Sequence, residues 1–489
     1  MYLGLDLGTS GLRAILTDDT GAVQAEAEAA FSPAHPHPGW SEQNPADWIA
    51  ACETTVSAIR AKAPDAFAHL KGIGLSGHMH GATLLDADDA VLRPCILWND
   101  TRSLDEAATL DAAPGMREIT GNIVFPGFTA PKLMWVRNHE PQVFDKVAKV
   151  LLPKDYLRLW LTGEHISDMS DSAGTAWLDV GRRDWSEAAL EHGGMRRDQM
   201  PDLVEGAAPG GMLRAALLSE WGLSEPVVVA GGAGDNAAAA CGIGALGEGT
   251  GFVSLGTSGV LMAGRDRYAP DPASAVHSFC HAVPDRWYQM GVILAATDSL
   301  NWLSRTLGES PADLSSALPE KAEGPSNVTF LPYLSGERTP HNDSRIRGAF
   351  IGLDVGTGRA ELTRAVMEGV AFALRDSLTA LEGTGARFDT LFAVGGGARS
   401  RFWLTTLANS LNLPLSLPAG SELGAAMGAA RLAICAHTGA APGEVMTPPA
   451  TAALIEPDAT LTAAYDAAYD RYRALYPALK QSRRPASGA

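Results

Sequence analysis

Apolar residues fall along this chain in short runs broken by glycine-rich turns, and two of those breaks are spelled alike. Met1–Leu5 and Leu12–Leu16 flank Leu7–Gly11, read LGTSG; Gly251–Val253 and Val260–Met262 flank Leu255–Gly259, again LGTSG. Apolar runs bounded by Gly, Thr and Ser predict strand, tight turn, strand, so the same hairpin is predicted twice. Asp18–Gly21 predicts another hairpin turn, making Met1 to about Ala30 a three-stranded meander. The proline-bearing stretch Phe31–Ser41 reads as a surface loop, and Pro45 sits near the start of a helix running to about Arg60.

The pattern continues with a short strand at Gly72–Ser76 that ends in Gly77-His78-Met79-His80-Gly81, a resumption at Ala82–Leu85, and a strand at Ile96–Trp98 that ends in Asn99-Asp100-Thr101-Arg102. Thr129–His139 predicts a helix with Pro131 early in it, and its Lys132 is expected to be solvated. Leu151–Leu159 reads as mostly helical, Asp168–Gly174 as polar and turn-rich, and Trp177 as strand. Pro226–Ala230 is a β-branched strand followed by Gly231-Gly232-Ala233-Gly234-Asp235-Asn236 and a helix start. In the second half Pro332–Pro340 is loop-like, and Glu361–Leu381 carries an amphipathic helical repeat. Leu391–Val394 is a buried strand running through Gly395-Gly396-Gly397-Ala398 into a helix from about Ser400. Gly424–Ala433 is a helix of small residues suited to backbone-to-backbone packing. A terminal helix spans about Ala463–Lys480, with a frayed tail behind it.

Polar groups at strand ends are where open α/β sheets place ligands. The two LGTSG turns offer backbone N–H groups and hydroxyls to phosphate oxygens, but neither is a Walker-type loop, which requires a Lys and then a helix. The copies differ at one place: Asp6 precedes the first turn and Ser254 the second, so only the first offers a carboxylate to a metal near phosphates. The glycines at 395–397 open a helix N-terminus, where backbone and dipole suit a nucleotide. Asp235 has two readings, helix N-cap or active-site carboxylate; three glycines so close to it exceed what a cap requires. His78 and His80 could touch a polyol or serve a structural turn. A zinc site would need further Cys or His ligands that no nearby cluster supplies.

Composition narrows the classes. The 489 residues suggest about two to four domains. A formal net charge of −18 argues against nucleic acid or an anionic membrane as a partner, though a bound cation can invert the field locally for a small anionic ligand. The five cysteines are odd in number and widely spaced, which reads as reduced thiols rather than a disulfide framework. The chain opens directly into a strand, and no apolar run reaches the roughly 18 residues of a membrane span, so a cytoplasmic protein is expected.

With those residues in place, the doubled hairpin with Asp in one copy resembles the two phosphate loops of the actin-like ATPase superfamily. More specifically, the chain is similar to the FGGY carbohydrate kinases over essentially its whole length. The segments that carry this are Gly127-x-Thr129-x-x-Lys132-Leu133-x-Trp135-Val136 with Asn138-His139, and Gly348-x-Phe350-x-Gly352-Leu353 with Glu361-Leu362 and Ala365-Val366-Met367-Glu368. Within the family, Gly77–Asp86, Leu97–Asp100, Leu151–Leu159, Ser167–Asp171 and Leu334–Asn342 are similar to the branch acting on D-xylulose. Glycerol-acting members would carry Arg-Glu where this chain has Met79-His80. The remaining rivals are sister kinases for ribulose or gluconate and a non-catalytic nucleotide-binding scaffold.

The resemblance implies a two-domain actin-like α/β fold with duplicated halves, a sugar domain over 1–247 and a nucleotide domain over 248–489. It implies ATP and Mg²⁺, a small sugar as the other partner, neither nucleic acid nor membrane, and a homodimer as an allowed assembly. Asp235 falls on the general base, with His78, His80 and Asp171 as competitors. Asp6 falls on the metal-side carboxylate, with Asp235 also facing the metal. Met79, His80, Asp100, Arg102 and Asn236 fall on the sugar side, and Thr9, Ser10, Gly256, Thr257, Ser258, Gly396 and Gly397 on the nucleotide side. Ala233 interrupts the expected glycine run and leaves the register of that turn open.

Overall fold

The computed structural model describes residues 1–419 and 424–482; the expected frayed tail lies outside the described residues. Two seven-stranded mixed sheets dominate it. In the first, β1 (Tyr2–Leu7), β2 (Gly11–Thr17) and β3 (Val23–Ala30) form the antiparallel meander. Beyond β1 lie β4 (Gly72–Gly77), then β5 (Pro209–Met212) and β6 (Val228–Ala230), in the order β5-β6-β4-β1-β2-β3. The two-residue strand Ala233–Gly234 adds to β4 beside Ser76 and Gly77. The second sheet holds β7 (Gly251–Leu255), β8 (Gly259–Arg265), β9 (His277–Cys280), β10 (Trp287–Ile293), β11 (Leu391–Val394), β12 (Leu415–Pro418) and β13 (Thr451–Ile455). Its order is β9-β10-β8-β7-β11-β12-β13.

The halves share one order of six strands, to which the second sheet adds β9 at its edge and the first adds the Ala233–Gly234 strand. In each, the strand before LGTSG pairs antiparallel with the strand after it, and that one with a third. On its other side the first strand meets a parallel partner, β4 in one half and β11 in the other. A further parallel strand follows, β6 or β12, and then an antiparallel edge. The repeated five letters therefore occupy equivalent positions of a duplicated fold. Of β1 only Asp6 is not buried, as expected of a strand covered on both faces. β3 alternates instead: Ala25 and Ala27 turn inward while Glu26 and Glu28 charge an exposed edge.

The helices named below are α1 (Pro45–Lys62), α2 (Thr129–His139), α3 (Pro153–Thr162), α4 (Asp235–Ile243), α5 (Thr297–Leu307), α6 (Arg359–Gly383), α7 (Arg401–Leu411), α8 (Gly424–Thr438) and α9 (Thr462–Ser482). Asn44 caps α1 by accepting from the Ala46 N–H, and Pro45 stands in its first turn. Helix α8, the small-residue segment, does not stay with the second sheet. It packs on β1, β4 and α4 of the first half. Glycine permits this approach: a Cβ on Gly74 would stand 1.8 Å from the Ala429 carbonyl oxygen, and one on Gly428 1.8 Å from that of Ala238.

Two expectations need correction. Asp168–Gly174 is no open turn; a helical turn at Met169–Ser172 and a 3₁₀ turn at Ala173–Thr175 bury it, with Asp168 capping the first. Trp177 precedes the short strand Leu178–Asp179 rather than lying in it. Its indole is buried, so packing and not strand pairing accounts for it.

Candidate active site

The site forms where β1, β4 and β6 end side by side. Parallel pairing sets Asp6 of β1 against Ser76 of β4, and the Ser76 hydroxyl donates to Asp6 Oδ1 over 2.9 Å. The His78 N–H donates to the Leu7 carbonyl, which fixes the His-Met-His segment beside the first LGTSG turn. Ala233 and Gly234 lie against Ser76 and Gly77, so Ala233 keeps the turn in register and Asp235 emerges next to these groups. Asp235 is the first residue of α4, with Gly234 at the cap position. It is thus not itself the N-cap; its Oδ1 accepts from its neighbour Asn236, from the backbone N–H at 2.7 Å and from Nδ2 at 2.8 Å.

A helix N-terminus favours an ionised carboxylate, yet burial, followed by the charge of Asp6, pushes the Asp235 pKa up to about 6. Burial outweighs the Asn236 hydrogen bonds. Asp6 is raised as well, by burial, against the Ser76 hydrogen bond and Arg13. Two carboxylates crowded into one cleft are a donor set suited to a hard divalent cation with oxygen ligands.

His80 closes another wall. Its backbone is left-handed, with φ +72°, which is uncommon away from glycine. Lys132 Nζ and Thr129 Oγ1 both donate to its carbonyl, at 2.8 and 3.1 Å. Its Nδ1 lies 2.7 Å from the Gly174 carbonyl, and its ring stacks on Phe128 at 4.8 Å. Lys132 is therefore not solvated: it is fully buried, and burial lowers its pKa to about 7. Burial, then Lys132, lowers both His78 and His80 to about 3, leaving them neutral and weak as bases. Asp171 is locked in a buried ion cluster and its pKa is raised by burial. Of the four candidate bases, only Asp235 combines an ionisable carboxylate with a place at the strand ends.

Asp100 and Arg102 engage each other. Arg102 grips Asp100 through Nε and Nη2, at 2.9 and 2.7 Å, pairs with Glu42, and lies 3.6 Å from the Trp40 ring centre. Asp100 also accepts from the backbone N–H groups of Arg102 and Ser41. These two side chains hold the loop through Ser41 and Glu42. Met79 is buried, with its Sδ 3.7 Å from the Tyr288 hydroxyl of β10.

That last contact exposes residues the sequence reading missed. The second half reaches the His-Met-His segment through β9 and β10: Phe279 lies 6.1 Å from the His80 ring, and His277 packs against Phe125 and Phe128. Arg338 sits over Phe125 and 3.4 Å from His277 Nε2. Asn122 and Ser278 exchange two hydrogen bonds of 2.9 Å across the same boundary. Arg338 belongs to the Leu334–Asn342 segment already noted, but nothing in its local spacing marks it as facing this cleft.

In the second half, a cavity of about 620 Å³ is lined by Gly396 and Gly397 together with Thr297, Asn301, Ser315 and Arg401. Thr297 ties it to the second hairpin, since its N–H and Oγ1 both donate to the Gly256 carbonyl. The Thr257 carbonyl accepts from the N–H groups of Ala296 and Asp298 in turn. Thr257 and Ser10 are exposed at the hairpin tips, and Ser258 and Thr9 are partly so. Thr9 is further held by the Trp98 indole N–H at 3.0 Å and by Gln43 at its carbonyl. Among the described residues, the group of three acidic, Cys or His side chains close enough together to hold a metal is Asp155, Asp168 and Asp171, and it includes no histidine. Also among the described residues, no helix is long and apolar enough to cross a membrane.

Comparison with known proteins agrees with this geometry. Residues 1–242 match the N-terminal domain of the FGGY family of carbohydrate kinases, and residues 251–437 its C-terminal domain. The chain is 46% identical over 480 residues to a xylulose kinase of Escherichia coli K12, covering 97% of this chain and 98% of that one. A crystal structure described as a xyloylose kinase from Brucella ovis is 59% identical, with a TM-score of 0.97 over 98% of this chain and 99% of that one. A gluconate kinase from Lactobacillus acidophilus superposes with a TM-score of 0.90 at 25% identity, covering 98% of each chain, so the fold alone does not choose among sugars.

Proposed function

The chain belongs to the FGGY family of carbohydrate kinases, and from that premise we propose how its cleft performs the phosphorylation of D-xylulose. The enzyme transfers the γ-phosphoryl group of ATP to D-xylulose, giving D-xylulose 5-phosphate and ADP. Identity over nearly the full chain supports the reaction. The observation that carries the mechanism is Asp235, on a turn at the strand ends beside Asp6 and the His-Met-His segment.

The terminal hydroxyl of the sugar has a pKa far above neutrality and must lose its proton as the new P–O bond forms. Asp235 accepts that proton while the bond from the γ-phosphorus to the bridging oxygen of ADP breaks; the proton later leaves to solvent. Met79 and His80 hold the sugar, with Phe279, Tyr288 and Arg338 closing the wall from the second half. Asn236 orients the carboxylate it donates to. The adenine side of ATP occupies the cavity at Gly396–Gly397, and the hairpin residues Thr9, Ser10, Gly256, Thr257 and Ser258 donate to its phosphates. Mg²⁺, when bound, neutralises the phosphate oxygens; Asp6, with Asp235 facing it, is the carboxylate that would hold the ion or its waters. Five free, buried cysteines fit a reducing compartment, which supports a cytoplasmic place for the reaction.

The test is a coupled ADP-release assay over a panel of ketoses, aldoses and polyols. D-xylulose is expected to give the highest kcat/KM. A preference of about tenfold or more for D-ribulose, L-ribulose or glycerol would move the enzyme to another branch, since a site built to pair one hydroxyl rejects its analogues strongly.

A further inference from the structure

Helix α3 and the Ser167–Asp171 segment meet behind the Asp235 turn, and the reaction as described uses none of their ionisable groups. Five of these, Lys154, Asp155, Arg158, Asp168 and Asp171, are completely withdrawn from solvent. Lys154 Nζ lies 2.5 Å from Asp155 Oδ1, 2.7 Å from Asp168 Oδ1 and 3.4 Å from Asp171 Oδ2. The three carboxylates are close enough together to hold a cation, and the Lys154 ammonium already stands among them. Burying so many charges is costly before their attraction is counted, and apolar side chains of the same volume would fill the space as well or better.

What the cluster touches outside itself is the strand-to-helix turn. Arg158 donates through Nη1 to the Ala230 carbonyl and through Nη2 to the Gly231 carbonyl. Three residues after Gly231, the Gly234 N–H donates over 3.1 Å to Ser170 Oγ, which itself donates to Asp168 Oδ2 at 2.5 Å. The turn between these anchors is tight. Gly232 has φ +77°, and a Cβ on Gly231 would stand 2.2 Å from the Glu205 carbonyl oxygen. The residues before and after the bend are thus both tied to one rigid, fully buried ionic block, and the next residue is Asp235.

We propose that the Lys154–Asp155–Arg158–Asp168–Asp171 block is the mount of the general base, with Arg158 and Ser170 as the positioning residues that fix Asp235 through its backbone. Ser170 has its polarity set by Asp168: with its proton given to that carboxylate, its oxygen is left to receive the Gly234 N–H. The inference rests on the reading of Asp235 as the base.

The experiment is steady-state kinetics with D-xylulose and ATP on Ser170→Ala, Ser170→Thr, Arg158→Lys and Asp235→Asn, each with its kcat–pH profile and Tm. Ser170→Ala removes the acceptor for the Gly234 N–H. Arg158→Lys keeps the charge and loses the two-pronged grip. Each is expected to lower kcat by ~10–100-fold, the scale of a small misplacement of a reacting group. Both KM values should stay within about threefold, and the acidic limb of kcat should move to lower pH as the loosened turn hydrates the carboxylate. Ser170→Thr keeps the hydroxyl and should retain most of kcat. Asp235→Asn should be nearly inactive. If Asp235→Asn is inactive while Ser170→Ala and Arg158→Lys keep wild-type kcat and an unmoved acidic limb, this inference falls alone. If Ser170→Ala and Ser170→Thr lose kcat, KM and Tm alike, the block is only structural and the inference likewise falls. An active Asp235→Asn overturns the base assignment and this inference together.

Discussion

Lys132 Nζ donates a 2.8 Å hydrogen bond to the carbonyl of His80, a residue whose backbone sits at φ +72°. A left-handed histidine costs free energy and persists only where its surroundings impose it. Lys132 and Thr129, one turn apart on α2, supply that constraint from the same face of the helix. Lys132→Met should therefore release His80 and raise KM for D-xylulose, by ~10–100-fold if the ring is displaced by about 1 Å, with KM for ATP unchanged. Equal loss of both affinities in the same assay would make Lys132 a general fold residue instead.

The raised pKa of Asp235 sets an expected pH dependence. A base must be ionised to accept a proton, so kcat/KM for D-xylulose should fall on the acid side with a midpoint near the value of about 6 to which burial and Asp6 raise it in the free enzyme. The same shift acts on stability with the opposite benefit. A carboxylate whose folded pKa lies above its unfolded value stabilises least where it must be charged, so its contribution declines as pH rises from about 4 to about 6 and stays low above that. Asp235→Asn, inactive, should accordingly melt higher than wild type, and the gain should be larger at pH 8 than at pH 4.5. Calorimetric scans at the two pH values check this; an equal Tm difference at both would mean that the carboxylate is not the source.

Asp6 and Asp235 repel each other across the cleft. Asp6→Asn should relieve that repulsion while removing a metal-side oxygen. Titration calorimetry should find sugar affinity little changed, whereas the Mg²⁺ concentration for half-maximal turnover should rise by about tenfold or more. A parallel loss of sugar binding would assign Asp6 to support of the β1–β4 edge through Ser76.

Helix α8 joins the halves by backbone contact, and glycine makes that contact possible. Gly428→Ala would drive a methyl group against the Ala238 carbonyl oxygen at 1.8 Å. Overpacking of this kind typically costs about 1–3 kcal/mol, to be read from denaturant unfolding. Because α8 touches β1 and β4, the variant should also blunt the ligand-dependent fall in radius of gyration expected when sugar and a non-hydrolysable ATP analogue draw the halves together. Unchanged scattering curves for wild type with both ligands would remove the closure idea.

How far the chain could be read without its fold follows from the range of each interaction. Leu7–Gly11 and Leu255–Gly259 are hairpins because glycine, threonine and serine between apolar runs leave the backbone few other choices; α2 and β11 occupy the very residues their patterns predict. Those are properties of a few neighbouring residues, and the amino-acid order determines them by itself. Desolvation and partnership are not local. Lys132 reads as a solvated lysine until α2 packs over His80, and nothing in the local spacing sets Arg102 against Trp40 and Glu42. Tyr288 and Phe279 come to Met79 and His80 from far along the chain because β9 and β10 extend the second sheet onto the first half, and Arg338 joins them from the Leu334–Asn342 segment. The local sequence shows Asp235 on a glycine turn at a helix start, and there the dipole argument favours a low pKa. Only the tertiary structure buries that carboxylate beside Asp6 and raises it, because charge–charge and solvation energies depend on distances in space that spacing along the chain does not specify.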